Sequence, residues 1–359
     1  MTIWRWPWRR SNLRPIRLIA VACVWSFGFA STIAPTYLAD VRPILAKNCS
    51  PCHAPGSVAP FALRTYEDAF RWRTEIAAYA ARRAMPPINA EGGPFDGVAG
   101  LRLTDHEIKA LQDWALSGAP KGEGDDRPIP TLTAERWTVG HPDIVLKAGV
   151  GETVGATGEE AVRTYRLPFG REIYIRSVDV LPSAPKSAHH LQLFWRKGAD
   201  QGFVGAWTSG FGPMALGAGV AVRAPRGSEL VARVQYLRTG REEDAEIAIG
   251  LVADQNRPIA SPKTLFLGSG SRLIADSCVL VMALPVDGKA GQPYRLSARH
   301  LSGQTETLVS LMEWNPKWTE TFHFQRPRYL AKGSVVASSS PVHLLTFDLE
   351  SWYRLRELH

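Results

Sequence analysis

From residue 37 onward the apolar positions first recur with a helical period and later alternate. Leu38, Val41, Ile44 and Leu45 fall on one face of a helix over residues 37–48. Phe70, Ile76 and Tyr79 mark a second helix over 67–83. A third carries its own start signal: Thr104 with Glu107 three residues later makes a capping box. It continues through Ile108, Leu111 and Trp114 and stops at Gly118. Past residue 137 the period changes to two. Val204–Trp207, Leu230–Tyr236 and Ile247–Val252 alternate or run apolar, with turns such as Gln255-Asn-Arg-Pro258 between them. The pattern predicts a multidomain chain, with a small all-α domain followed by an all-β region of two jelly-roll or β-sandwich domains.

Composition places boundaries on this pattern. Residues 121–130 crowd Gly, Asp and Pro into a linker, ending Arg-Pro-Ile-Pro. The expected division is a leader over 1–30, a helical domain over 31–124, a linker over 125–136, and β domains over 137–256 and 257–359. A chain of 359 residues accommodates that many units.

The formal charge of +8 changes the picture less than its size suggests. Residues 1–30 hold five of the 42 basic residues and no acid, so the remainder carries 37 basic against 34 acidic. That balance excludes a nucleic-acid-binding reading built on charge. The same 30 residues read as an export signal: basic from Arg5 to Arg17, apolar from Leu18 to Phe29, with small residues Gly28 and Ala30 before Ser31. The expected location is periplasmic. Anchorage by an uncleaved N-terminal helix is the alternative, because residues 18–34 just reach the lower limit for a span.

The chemistry concentrates in Cys49-Ser50-Pro51-Cys52-His53. C-x-x-C-H is the attachment pattern of a c-type haem, with two thioethers to the porphyrin and the histidine below the iron. Two other readings exist. A zinc site needs a second Cys/His pair close by, and none is present. A redox dithiol needs a thioredoxin-like βαβ context, which is also missing. The sixth iron ligand is expected at Met85, in the Pro-stiffened Arg83-Ala-Met-Pro-Pro87, 32 residues after His53. His106 is the rival, in the first turn of the third helix. Cys278 stands alone and reads as a strand residue. No nucleophile elbow or phosphate loop is present.

Two resemblances extend this reading. Pro43-Ile-Leu45, Cys49–His53 and Arg83–Pro87 resemble the cytochrome module of bacterial haem proteins. Trp137-Thr-Val-Gly140 with Pro142-Asp143, Ser187-Ala-His-His190, Gly240, Trp314-Asn-Pro-Lys-Trp318 and residues 327–333 resemble the copper type II, ascorbate-dependent monooxygenases. That family implies two jelly-roll domains and two copper ions. One ion takes an adjacent His pair and a third His; the other takes His-x-His and Met. His189 and His190 match the pair, but Gln235 stands where the third His belongs. Pro285-Val-Asp-Gly288 replaces His-x-His, and no methionine follows Met312. His189, His190 and Gln235 therefore form a candidate but incomplete copper site; His300, His323 and His343 could supply a replacement ligand but read as surface or core polar residues. The expected protein is a haem-bearing electron carrier serving a redox partner protein, on a monooxygenase-like scaffold with degenerate copper sites. A copper monooxygenase fed by its own haem is the alternative.

Overall fold

The computed structural model describes residues 34–357, except 88–89, 92–94, 97–99, 133–135, 159–160, 255, 317 and 319. The expected leader, with Cys23, lies outside the described residues. Among those described, no helix is long and apolar enough to cross a membrane.

A small helical region is followed by a largely antiparallel β region of several sheets. The helical part opens with a π-helical turn, Tyr37–Val41, that leads into α1, Arg42–Asn48. Thr36 caps it through the Ala39 N–H, and Pro43 occupies an early position where no helical N–H is lost. The single helix expected over 67–83 is two, α2 (Tyr66–Arg71) and α3 (Arg73–Ala81). They divide at Trp72, whose ring turns inward to stack on Phe61 with centroids 4.2 Å apart. The capping box at Thr104 forms, and α4 runs Asp105–Leu116. Tyr37, Leu45, Leu111 and Trp114 make the centre of the helical core. The stretch read as a linker is hydrogen-bonded to the helical part. Ile129 is buried, its N–H donates to the Arg64 carbonyl (2.8 Å), and Arg42 donates to the Arg127 carbonyl (3.0 Å).

In the β region, four strands order as Ala161–Pro168, Glu229–Tyr236, Ala188–Lys197 and Asp200–Thr208. A second sheet is built on Ile173–Pro182 and Ile247–Asp254. Leu191, Leu193, Leu230 and Val234 of the first meet Ile175, Val178 and Ile249 of the second in one core. Two further sheets, centred on Tyr294–Arg299 and Cys278–Pro285, enclose another core, and a third apolar cluster joins Phe194 and Phe203 to Val281, Leu284 and Phe347.

One feature was absent from the sequence pattern. The chain after Met85 leaves the helices and joins the last two sheets. Ala90–Glu91 pairs with Thr305–Leu311, and Phe95–Asp96 pairs with Phe322–Leu330. Phe95 is buried against Phe322 (5.1 Å) and Phe324 (5.5 Å). Two-residue strands carry too little local signal to be read in advance; burial of one aromatic ring holds them.

Candidate haem-attachment site

Helix α1 delivers the chain into a compact loop at Cys49. His53 N–H returns to the Cys49 carbonyl (2.9 Å), Leu63 N–H reaches the His53 carbonyl (2.8 Å), and the buried Ser50 hydroxyl donates to Leu63 (2.5 Å). These bonds put both thiols and the imidazole on one short turn. The His53 ring is fixed by Nδ1–H donating to the Phe61 carbonyl (3.0 Å), with the Phe61 ring against it at 4.7 Å. An iron-ligating histidine is typically oriented by such a bond, which leaves Nε2 as the lone pair. Burial holds the His53 pKa below its ordinary value, so the ring is neutral and able to bind a metal.

Both cysteines are unbridged. Burial pushes each thiol up to about 12. Redox dithiols need the opposite shift, toward the thiolate, so these thiols do not fit disulfide exchange.

Met85 lies in the loop after α3 and is 38% exposed. It is positioned through Arg83, which takes a left-handed backbone conformation (φ 54°). The Arg83 guanidinium donates to the Leu103 carbonyl (3.0 Å) and pairs with Asp105, tying the loop to the start of α4. His106 points into solvent on that first turn.

The β region covers the attachment loop. Gly210, in the left-handed region at φ 83°, lies so close that a Cβ there would sit 1.9 Å from the Pro51 carbonyl oxygen. Ser57 and Ser209 hydroxyls meet at 3.3 Å, and Ser209 N–H donates to the His189 carbonyl (2.9 Å). The loop is thus two hydrogen bonds from the histidine pair.

That pair occupies a β-bulge. Gln235 faces His190, and Tyr236 faces Ala188, so His189 is the extra residue, with its ring centroid 6.4 Å from that of His190. Both rings are essentially sealed from solvent, at 0% and 2% exposure. Burial depresses His189 to about 4 and His190 to about 3, so both are neutral. His190 Nδ1 bonds Thr208 Oγ1 (2.9 Å), while its Nε2 has no hydrogen-bond partner. Neither His189 nitrogen has a partner of good geometry; the Gln235 amide lies beside it and partly offsets the shift.

The donor set fits copper only in part. Gln235 commits its amide N–H to the Pro316 carbonyl. The Arg233 guanidinium bonds the Val286 carbonyl (2.9 Å), and its charge reaches both His190 and His343, which disfavours a second cation there. No group of three His, Cys, Asp or Glu side chains converges among the described residues. His300 pairs with Glu306 (3.2 Å), and His323 lies in the strand Phe322–Leu330. His343 packs between Phe194 and Phe266, each 5.0 Å away. At the position aligned with His-x-His, Gly288 lies under the Trp314 indole, leaving no room for a side chain. Cys278 opens a strand and is half-buried.

No family model matches the sequence, and no curated protein matches it. Among solved structures, a proposed alpha-L-fucosidase from Bacteroides ovatus aligns at 12% identity and a TM-score of 0.18, over 69% of this chain and 43% of that one. A likeness that slight carries no argument. Sequence reading missed Glu320, a buried acid beside the attachment loop, because nothing in its local pattern marks it as internal.

Proposed function

We propose that the chain is an exported one-electron carrier, a c-type cytochrome whose β region is a docking or assembly platform for a redox partner protein. In this reading Cys49 and Cys52 attach one haem, and His53 and Met85 hold its iron. The sheets would be two jelly-roll sandwiches of the copper type II monooxygenase kind, with no catalytic role. The observation that carries the reading is the His53 ring, neutral and aimed by Phe61, directly after two protonated thiols. When bound, the haem supplies a ferric–ferrous couple, at a higher potential with a thioether ligand than with two histidines. The chain's own part is to orient His53, tether the Met85 loop through Arg83, and brace the attachment loop with Gly210 and Ser209. The expected location is the periplasm, with anchorage only if the leader is retained.

The test is the metal content and pigment of protein made in a host that matures c-type cytochromes. Iron near one atom per chain, and colour that survives acid-acetone extraction, are expected. Colour lost to that extraction overturns the reading. A second reading, a copper monooxygenase fed by the haem, is favoured by one observation: the two neutral imidazoles of the bulged pair, with His190 Nε2 lacking a hydrogen-bond partner. It requires copper near two atoms per chain and ascorbate-dependent hydroxylation. Only two imidazoles, one of them under the Arg233 charge, lead us to expect negligible copper.

A further inference from the structure

The segment from Trp314 to Phe322 brings a carboxyl group to the attachment loop. Glu320 is 4% exposed, and its Oε1 has no hydrogen-bond partner. It lines a small cavity of about 10 Å³, close to the room one water molecule needs, together with Trp314, Trp318, Phe322 and Pro87. Pro87 follows the Met85 loop, and the Glu320 charge also reaches Cys52. Glu320 is thus near both ends of the proposed haem site, the attachment side and the sixth-ligand side.

We propose that Glu320 is the proton acceptor coupled to the one-electron cycle of this haem. The inference rests on the haem reading above. Its physical basis is charge balance. In a site closed to water, a change of one unit charge costs far more than it does in solvent, unless a nearby group changes by the opposite unit. Among the described residues no cation pairs with Glu320, and burial raises its pKa to about 8. In the alkaline range, where Glu320 is ionised before the electron arrives, one electron enters from the donor protein and Glu320 takes one proton from water. On oxidation, the electron leaves to the acceptor protein and the proton returns to water. Net charge at the cleft is then constant through the cycle.

Other titratable groups in the neighbourhood do not provide this. Cys52 becomes a thioether on attachment. Glu313 lines the same cavity but is exposed. His189 lies behind Trp318, with ring centroids 4.1 Å apart, and is already neutral well above its pKa of about 4. Glu320 is the buried acid whose titration falls in the neutral to alkaline range.

The experiment is a spectroelectrochemical titration of the haem-loaded full chain from about pH 5 to about pH 10, wide enough to bracket a carboxyl raised by burial. The midpoint potential is expected to be level at the acid end, where Glu320 is protonated in both redox states, and to fall with rising pH at the alkaline end, where reduction is expected to take up protons from weakly buffered solution. Glu320→Gln should make the potential flat across the same interval; Glu313→Gln should leave the slope intact. Glu320→Asp, which keeps the carboxyl and shortens its reach, should shift the interval of pH and keep the slope. A flat potential in the wild-type chain, or an unchanged slope in Glu320→Gln, overturns the proposal while the haem reading stands. A chain that attaches no haem overturns both.

Discussion

At the scale of single residues, the haem assignment divides into a local part and a distant part. Cys49, Cys52 and His53 are held by bonds within fifteen residues of one another, so their geometry follows from the loop's own sequence. Met85 depends on Arg83, and Arg83 depends on the Leu103 carbonyl and Asp105 of a different element. Met85→Ala is expected to leave the covalent pigment in place and to remove the thioether-to-iron absorption of the oxidised protein. A spectrum unchanged by that substitution would reassign the sixth ligand. The histidine pair shows a further step of dependence. Adjacent histidines on a regular strand point to opposite faces, and only the bulge opposite Gln235 and Tyr236 brings their rings within 6.4 Å.

Among the elements, the short strands after Met85 matter most. The Ala90–Glu91 and Phe95–Asp96 strands carry the chain from the Met85 loop into the sheets of the C-terminal half. Phe95 is the anchor, 3% exposed among Phe322 and Phe324. Phe95→Ala is expected to cost about 3–5 kcal/mol, as other buried aromatic truncations do. Chemical denaturation measures that loss. Because the same segment begins at the Met85 loop, the variant should also weaken the thioether signature at room temperature, which a core defect remote from the haem would not do. The capped helix α4 is the contrasting case: both its start at Thr104 and its stop before Gly118 were legible, because caps are formed by residues three or four apart.

For the whole molecule, the buried titratable groups set the pH range of stability. His189, His190 and His343 have folded pKa values of about 4, about 3 and about 4, against 6.5 when exposed. Between those values the unfolded chain binds more protons, so stability present above 6.5 is lost as pH falls toward 4. Glu320 acts on the other limb. Its pKa is raised from 4.5 to about 8, so the folded chain binds the extra proton in that window and stability falls as pH rises through it. Thermal denaturation across pH should therefore give a dome, and Glu320→Gln should flatten its alkaline side while leaving the acid side as it was. An alkaline side that persists in the variant would place its origin elsewhere.

What the sequence determined by itself was whatever short-range rules decide: the helical and alternating periods, the capping box, and the thiol pair with its histidine. These follow from neighbours a few residues apart. Tertiary structure alone decided what depends on surfaces meeting: the fastening of residues 121–130 to the helical core, the recruitment of residues 90–96 into distant sheets, the closing of Gly210 over Pro51, and the burial of Glu320 beside Cys52. A carboxylate in a polar-looking stretch gives no sign of its environment. Only the packing of Trp314, Trp318 and Phe322 around it removes water and gives it a chemistry different from that of an exposed acid.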